Sequence, residues 1–339
     1  LLVRTECETA LLPLPFEAID TDHDGALTES ELRSAHDRAA EQLPNLAVPQ
    51  MDGVGAMEIS VTVAAGVCDF ISAMDTPRIA EWNMWYHLLN CGFPLKVSGE
   101  TDFPCMSGER VGQGRVYVHL GPVKRVDFSA WCDGLAKGRS YVSDGFAHAL
   151  AFTVNDIAPG YGDLDLAAPG KLRIHAKIAF APEIPRAVAY GGIVPPDGKR
   201  FVGDTVTLHG PRTDDVIAGG SRLVEIVVNG QVAATREVFA DGQTHDLDFE
   251  IEVQRSSWVA LRHFPQFHTN PVNVLVGGKP IRAAKTSALW CIETIEQLWR
   301  TRERSVAESE RAAARRAFDD ALEKYRRIAI EASNENATP

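Results

Sequence analysis

Residues 20–31 read Asp-Thr-Asp-His-Asp-Gly-Ala-Leu-Thr-Glu-Ser-Glu. Oxygen-bearing residues stand at the alternate positions of this twelve-residue stretch, and a glycine sits at its centre. A hard cation such as calcium takes roughly 6–8 oxygen ligands from a tightly turning chain. Asp20, Asp22 and Asp24 supply carboxylates at positions one, three and five. Gly25 stands at position six, where the sharp bend is easiest without a Cβ. Ala26 at position seven needs only its backbone carbonyl, Thr28 at position nine acts directly or through water, and Glu31 at position twelve closes the site with two oxygens. The competing reading is a solvated acidic turn, which needs neither Gly25 nor Glu31 at these spacings. The full-length match favours an EF-hand loop binding Ca2+.

The flanks fit that reading. Pro15 opens a short entering helix through Phe16 and Ile19. A leaving helix is expected from about residue 29 to 43, with Leu32, Ala35, Ala39 and Leu43 on one side and Pro44 ending it. There is no second loop of this kind in the sequence. EF-hands pair through the short strand at position eight, here Leu27. A lone hand must set that edge against its host domain or a second copy. Carboxylates crowded without an ion repel one another, so the segment is expected to be looser without calcium.

Composition limits the function classes. A chain of 339 residues with 45% hydrophobic content can bury a full core and form two or more domains. A net charge of −12 argues against nucleic acid as a main partner. No stretch is long and apolar enough to span a bilayer. The cysteines at 7, 68, 91, 105, 132 and 291 show no CxxC pair and read mostly as buried thiols.

Four segments follow from the patterning: an EF-hand at 12–45, an α/β layer at 46–144, a β-sandwich-like domain at 145–283 and C-terminal helices at 284–339. Residues 54–64 alternate and carry Ile and Val, which reads as a strand. Thr76-Pro77 starts a helix bearing Ile79, Trp82, Trp85, Leu88 and Leu89, and Gly92 ends it. A buried strand at 94–98 leads into Gly99-Glu100-Thr101-Asp102, and a further strand is expected at 115–120. A helix at about 127–137 stops at Gly138. Beyond residue 145 the rhythm turns to short alternating runs with hairpin signals, Asn229-Gly230 the strongest. Residues 286–332 read as two amphipathic helices.

A strand ending in Gly-x-Thr-Asp is a good place for a metal ligand, because α/β barrels collect their chemistry at the carboxyl ends of strands. Asp102 is the first choice there, against a role as a turn or helix cap. Residues 55–121 carry Gly-Ala-Met-Glu-Ile-Ser, Asn-Met-Trp-Tyr-His-Leu-Leu-Asn-Cys-Gly-Phe, Ser-Gly-Glu-Thr-Asp-Phe-Pro-Cys and Arg-Val-Gly-Gln-Gly-Arg-Val-Tyr-Val. With Gly138-Arg-Ser-Tyr-Val-Ser-Asp-Gly145 and His268-Thr-Asn-Pro-Val, these segments resemble the C-terminal part of PHP-type metallohydrolases, in their carbaryl-hydrolase-like (CehA/McbA) branch. The resemblance covers roughly residues 50–300. It implies a distorted β/α barrel holding two or three divalent ions (Zn2+, Mn2+ or Fe2+), hydrolysis of ester or phosphoester substrates by a metal-activated hydroxide, and an appended β-sandwich. The family's late metal-binding aspartate falls on Asp102, and Glu58 stands at a strand end of the implied barrel with a weaker claim. The family's His-x-His pair is missing from the sequence, and Phe103-Pro104 follow Asp102 where relatives carry Asp-x-His. The early ligands are therefore expected upstream of Leu1. The rival reading is a non-enzymatic, calcium-stabilised protein that binds a glycan, a peptide or another surface through its β-sandwich.

The other candidates have plainer readings. His87 is expected as a satisfied core histidine, and His268 as a turn-stabilising one that could also face a site. His119, His148 and His175 read as ordinary strand residues. Arg110 and Arg115 flank a Gly-rich turn, where they hold either an anionic substrate group or an internal ion pair. Ser107-Gly108 and Ser143-Asp144 lack the Gly-x-Ser-x-Gly context of a serine hydrolase.

Overall fold

In a computed structural model of the chain, the described residues are 2–3, 12, 14–40, 43–48, 58–74, 78–101, 114–185, 193–194, 216–264 and 266–336. In chain order the elements are β1 (Leu2–Val3), α1 (Phe16–Ile19), β2 (Ala26–Leu27), α2 (Glu29–Ala40), α3 (Ile59–Ala65), β3 (Phe70–Ala73), α4 (Arg78–Asn90), β4 (Lys96–Gly99) and β5 (Arg115–Val118). There follow α5 (Phe128–Ala136), β6 (Ser140–Ser143), β7 (Ala147–Val154), β8 (Leu164–Leu166), β9 (Gly170–Phe180), β10 (Glu183–Pro185), β11 (Ile193–Val194) and β12 (Val216–Ala218). The chain closes with β13 (Ser221–Val228), β14 (Gln231–Phe239), β15 (Thr244–Val253), β16 (Ser257–His263), β17 (Phe267–Thr269), β18 (Val272–Val276), α6 (Lys285–Arg302) and α7 (Glu308–Asn336). The fold is mixed α/β, with several sheets and a smaller helical complement, and no barrel closes among the described strands. None of the described helices is long and apolar enough to cross a membrane.

The residues divide into two compact units. One gathers 1–68, 82–93 and 282–339, and the other 69–81 and 94–281.

The first unit is helical. Its core is built around the Trp-rich part of α4, where Trp82, Trp85 and Tyr86 are fully buried. Each contributes about 3 kcal/mol of apolar burial before entropy is set against it. The sequence pattern suggests one apolar side for this helix, but residues 81–90 are buried on every side. Asn83, His87 and Asn90 therefore find their hydrogen-bond partners inside the protein. Asn83 Oδ1 accepts from the Asn45 N–H at 2.6 Å, and Asn90 Nδ2 donates to Ser287 Oγ at 3.1 Å. His87 stacks on Trp290 with ring centroids 4.2 Å apart. Its Nε2 lies 2.7 Å from the Asn45 carbonyl and its Nδ1 3.0 Å from Ser287 Oγ. Burial lowers the His87 pKa to about 4. It is a satisfied neutral core histidine, as the sequence suggests.

Residues 59–65 correct a sequence expectation. The Ile/Val alternation predicts a strand at 54–64, of which 54–57 lie outside the described residues, whereas 59–65 form the helix α3. Tertiary contacts decide the matter. Ile59, Ser60, Val61, Val63 and Ala64 are all buried, a pattern too continuous to fix a period. Tyr325 on α7 donates to the Ser60 carbonyl at 2.8 Å, and Lys324 donates to the Ala64 carbonyl at 3.0 Å. The Lys324 bond satisfies a carbonyl in the last turn of the helix, the Tyr325 bond ties its first turn to α7, and Gly66 closes it in the left-handed region.

The second unit is a sandwich extended by a parallel pair. Nine strands form one sheet, with β11-β13-β16-β17-β6-β5 as its main path, and β15-β9-β7 form the other. Both sheets feed one apolar core that includes Phe152, Ile174, Ile178, Val224, Ile226, Phe249, Leu261 and Phe267. The predicted runs at 171–180, 223–228, 231–238, 247–253, 258–264 and 272–276 coincide with β9, β13, β14, β15, β16 and β18. Asn229 and Gly230, at φ 52° and 88°, make the hairpin turn between β13 and β14. Beside the sandwich, β3 and β4 pair in parallel with register Ala73↔Gly99. One side chain joins β4 to β6. Asn270 Oδ1 accepts from the Val97 N–H at 2.9 Å, while its Nδ2 donates to the Ser140 carbonyl at 3.1 Å and Ser140 Oγ at 2.9 Å. Asn270 thus stands in for the backbone ladder that these strands do not form.

Candidate metal centre

The loop at 20–31 closes on its own carboxylates. Ligand oxygens of Asp20, Asp22 and Asp24 all lie within 4.8 Å of one another. The convergence is set locally. Asp20 Oδ1 accepts from the Asp24 N–H at 3.2 Å and its Oδ2 from the Gly25 N–H at 3.1 Å. Asp22 Oδ1 also faces the Asp24 N–H, at 3.3 Å, and Asp24 Oδ1 accepts from the Ala26 N–H at 2.8 Å. Gly25 has φ 83°, so the bend itself demands a residue without a Cβ. Asp20 is buried, whereas Asp22 and Asp24 are exposed, so the cluster opens on one side to solvent.

Thr28 and Glu31 form a capping box at the start of α2. Thr28 Oγ1 accepts from the Glu31 N–H at 3.2 Å, and Glu31 Oε2 accepts from the Thr28 N–H at 3.0 Å and hydroxyl at 2.8 Å. The other oxygen, Oε1, accepts from the Thr21 N–H at 2.8 Å and hydroxyl at 2.9 Å. These donors, Thr28's first and Thr21's next, hold the Glu31 carboxyl down to about 2. Glu31 therefore stays ionised, tied to both ends of the loop, and lies outside the three-aspartate cluster. Ala26 sits on β2. Leu27, the pairing position of an EF-hand, meets Leu2 on β1 in an antiparallel bridge, and Ala26 meets Val3. The loop thus covers this edge with a strand of its own chain. Ile19, Leu27 and Ala35 form a small core beneath it.

The second predicted site is only partly in view. Asp102 and Arg110 lie outside the described residues. The chain is held up to Thr101, whose Oγ1 donates to the Gly114 carbonyl at 3.1 Å. Glu58 is exposed at the N-terminal end of α3, not at a strand end, because residues 59–65 are helical. Ser143 is buried and donates to the Ala147 carbonyl at 2.5 Å, which leaves it no nucleophilic role. His268 is fully buried, its Nδ1 2.7 Å from the Thr269 carbonyl, and burial lowers its pKa to about 3. His175 lies beside Asp246 and Asp248 on the exposed face of β9. Of the two predicted readings for Arg115, the internal ion pair is not made among the described residues; its hydrogen bond goes to Tyr117.

Two groups escape the sequence reading. The first is a buried ion pair, Arg262 Nε to Glu225 Oε2 at 2.6 Å, between β16 and β13. The second is a cluster of Arg115, Tyr117, Tyr141 and His148. Its signal in the sequence is only that tyrosines alternate with valines at 116–118 and 141–142, which any half-buried strand shows. No known protein family, curated protein or solved structure matches this chain.

Proposed function

We propose that this chain is a calcium-binding protein whose EF-hand is formed by residues 20–31, with Asp20, Asp22, Asp24, the Ala26 carbonyl, Thr28 and Glu31 as its ligands. One observation carries the reading: three aspartate carboxylates meet within 4.8 Å around a glycine bend. Backbone N–H donors orient these carboxylates but do not neutralise them, and a doubly charged hard cation is the species that does. Calcium's role is to hold the loop between α1 and α2. The test is a calcium titration of chelator-stripped protein by calorimetry. Wild type should bind one equivalent, and Glu31→Ala should weaken binding by about 100-fold, the order expected for losing a bidentate carboxylate. Wild type that takes up no calcium at millimolar concentration overturns the assignment.

We further infer descent from PHP-type metal-dependent hydrolases of ester or phosphoester bonds, with residues 46–144 as part of a barrel. The parallel pairing of β3 with β4 supports this, since such barrels are built of parallel strands. The carboxyl end of β4 runs to the anchored Thr101, immediately before Asp102. Asp102 would hold a divalent ion, which supplies activation of water when bound. Metal analysis separates this reading from a non-enzymatic binding protein. Zinc, manganese or iron that is lost on Asp102→Ala supports the hydrolase, and calcium alone supports the binding module.

A further inference from the structure

On the second unit, β5 is the terminal strand of the main path of the nine-stranded sheet, and its register sets Tyr117 opposite Tyr141 on β6. The two rings stack with centroids 5.0 Å apart and planes 10° from parallel. His148, on β7, stands edge-on to both, with centroids 4.9 Å from Tyr117 and 6.3 Å from Tyr141. Tyr141 Oη lies 2.9 Å from His148 Nδ1. Arg115 completes the group from the start of β5. Its Nη1 donates to Tyr117 Oη at 3.4 Å, a long and weak bond. Its guanidinium lies across Gly145, where a Cβ would stand 1.8 Å from Nη1. Gly145 also has φ 86°, so both backbone and space exclude a side chain there.

Arg115 is half-buried and makes no ion pair with a carboxylate among the described residues. A partly desolvated guanidinium normally acquires an oxyanion, because its fork of five N–H donors has no other good use. Burial, with Tyr117 adding to it, raises the Tyr141 pKa, so the phenol keeps its proton beside His148 Nδ1. Burial also lowers the His148 pKa, with Arg115 adding to the fall and Asp144 opposing it. The guanidinium and the Tyr117 hydroxyl are two donor groups side by side, with the His148 ring next to them and Asp144 the carboxylate whose charge acts on that ring.

We propose that Arg115, Tyr117 and His148 form a binding site for a phosphoryl oxyanion, free or carried as a monoester. Arg115 pairs with two of its oxygens, the Tyr117 hydroxyl donates to it from the side, and the His148 ring stands next to them. The stacked tyrosines hold the imidazole edge and the hydroxyl in place. Gly145 leaves the floor on which the guanidinium lies.

The test is a titration of the full chain with inorganic phosphate in calcium-free buffer, so the result is independent of the EF-hand. Binding is followed by calorimetry and by the ring resonances of 13C-labelled histidine. Wild type should show one saturable site that moves the His148 resonance. Arg115→Gln should weaken it by about tenfold or more, through loss of charge-assisted hydrogen bonds. Tyr117→Phe keeps the stacking and the fold and should weaken it severalfold. Three results would overturn the proposal. The first is no saturation by about 20 mM, a threshold weaker than the millimolar range of a simple anion site. The second is equal affinity in wild type and in both variants once thermal unfolding shows them folded. The third is the same His148 shift from sodium chloride at matched ionic strength.

Discussion

Neutralising one carboxylate of the loop should have opposite consequences with and without calcium. Asp24 takes part in two of the three contacts within the cluster, each no longer than 4.8 Å. Asp24 is exposed, so water's dielectric applies, and each such pair repels by about 0.9 kcal/mol. Two pairs come to about 1.7 kcal/mol, and screening at physiological salt, with a Debye length of about 8 Å, leaves roughly 1 kcal/mol. Asp24→Asn keeps an oxygen able to accept from the Ala26 N–H, the bond that Asp24 Oδ1 makes at 2.8 Å, so the loop geometry survives. In chelator the variant should therefore be more stable than wild type by roughly 1 kcal/mol, or about 2–4 °C in the melting transition of the unit that contains it. In calcium the order reverses. At a concentration 100 times its own dissociation constant, calcium stabilises wild type by about 2.7 kcal/mol. A site weakened by about 100-fold gains only about 0.4 kcal/mol at that concentration. The assay is differential scanning calorimetry in chelator and in calcium. A variant that shifts the transition in the same direction in both buffers would refute the reasoning, because a solvated acidic turn or a merely structural aspartate behaves that way.

Acid should act through Glu31. Its carboxyl falls from an ordinary 4.5 to about 2 in the folded chain, so its stabilising contribution is complete above about pH 4.5 and is lost as pH falls through about 2. Glu31→Gln should flatten that part of the stability profile in urea titrations, and an unchanged profile would count against the Thr21 and Thr28 donors. Asn270→Ala should destabilise the second unit by about 2–4 kcal/mol, because it orphans the buried Val97 N–H and the Ser140 groups. Equilibrium denaturation with no loss would show that water replaces the amide. Removing one partner of the Arg262–Glu225 pair, as in Glu225→Gln, should destabilise the same unit by about 3–5 kcal/mol. A loss below about 1 kcal/mol, the worth of an exposed pair, would mean that the two charges are solvated.

Local chemistry made much of the molecule legible. The acidic loop at 20–31 could be read because its three converging aspartates lie within five residues, and the bonds that shape it span five residues or fewer, apart from those of Glu31 to Thr21. The sandwich strands could be read because period-two alternation follows directly from one face being buried. Residues 59–65 could not, since a short Ile/Val run buried all round carries no period, and only the packing of α3 against α7 decides that it is helical. The same limit hid the buried character of α4, whose polar residues bond to segments up to 200 positions away.

The amino-acid sequence by itself determined the acidic glycine bend at 20–31, the β13–β14 hairpin and the six alternating runs of the sandwich, because neighbours in sequence settle those features. The tertiary structure alone decided that β1 covers the edge of the loop at 20–31, that Asn270 ties β4 to β6, and that Arg115 lies over Gly145 beside Tyr117 and His148. Each of these joins residues far apart in the chain, or sets the direction of a side chain through strand register. Pairing and packing fix such relations, and no local pattern of residues encodes them.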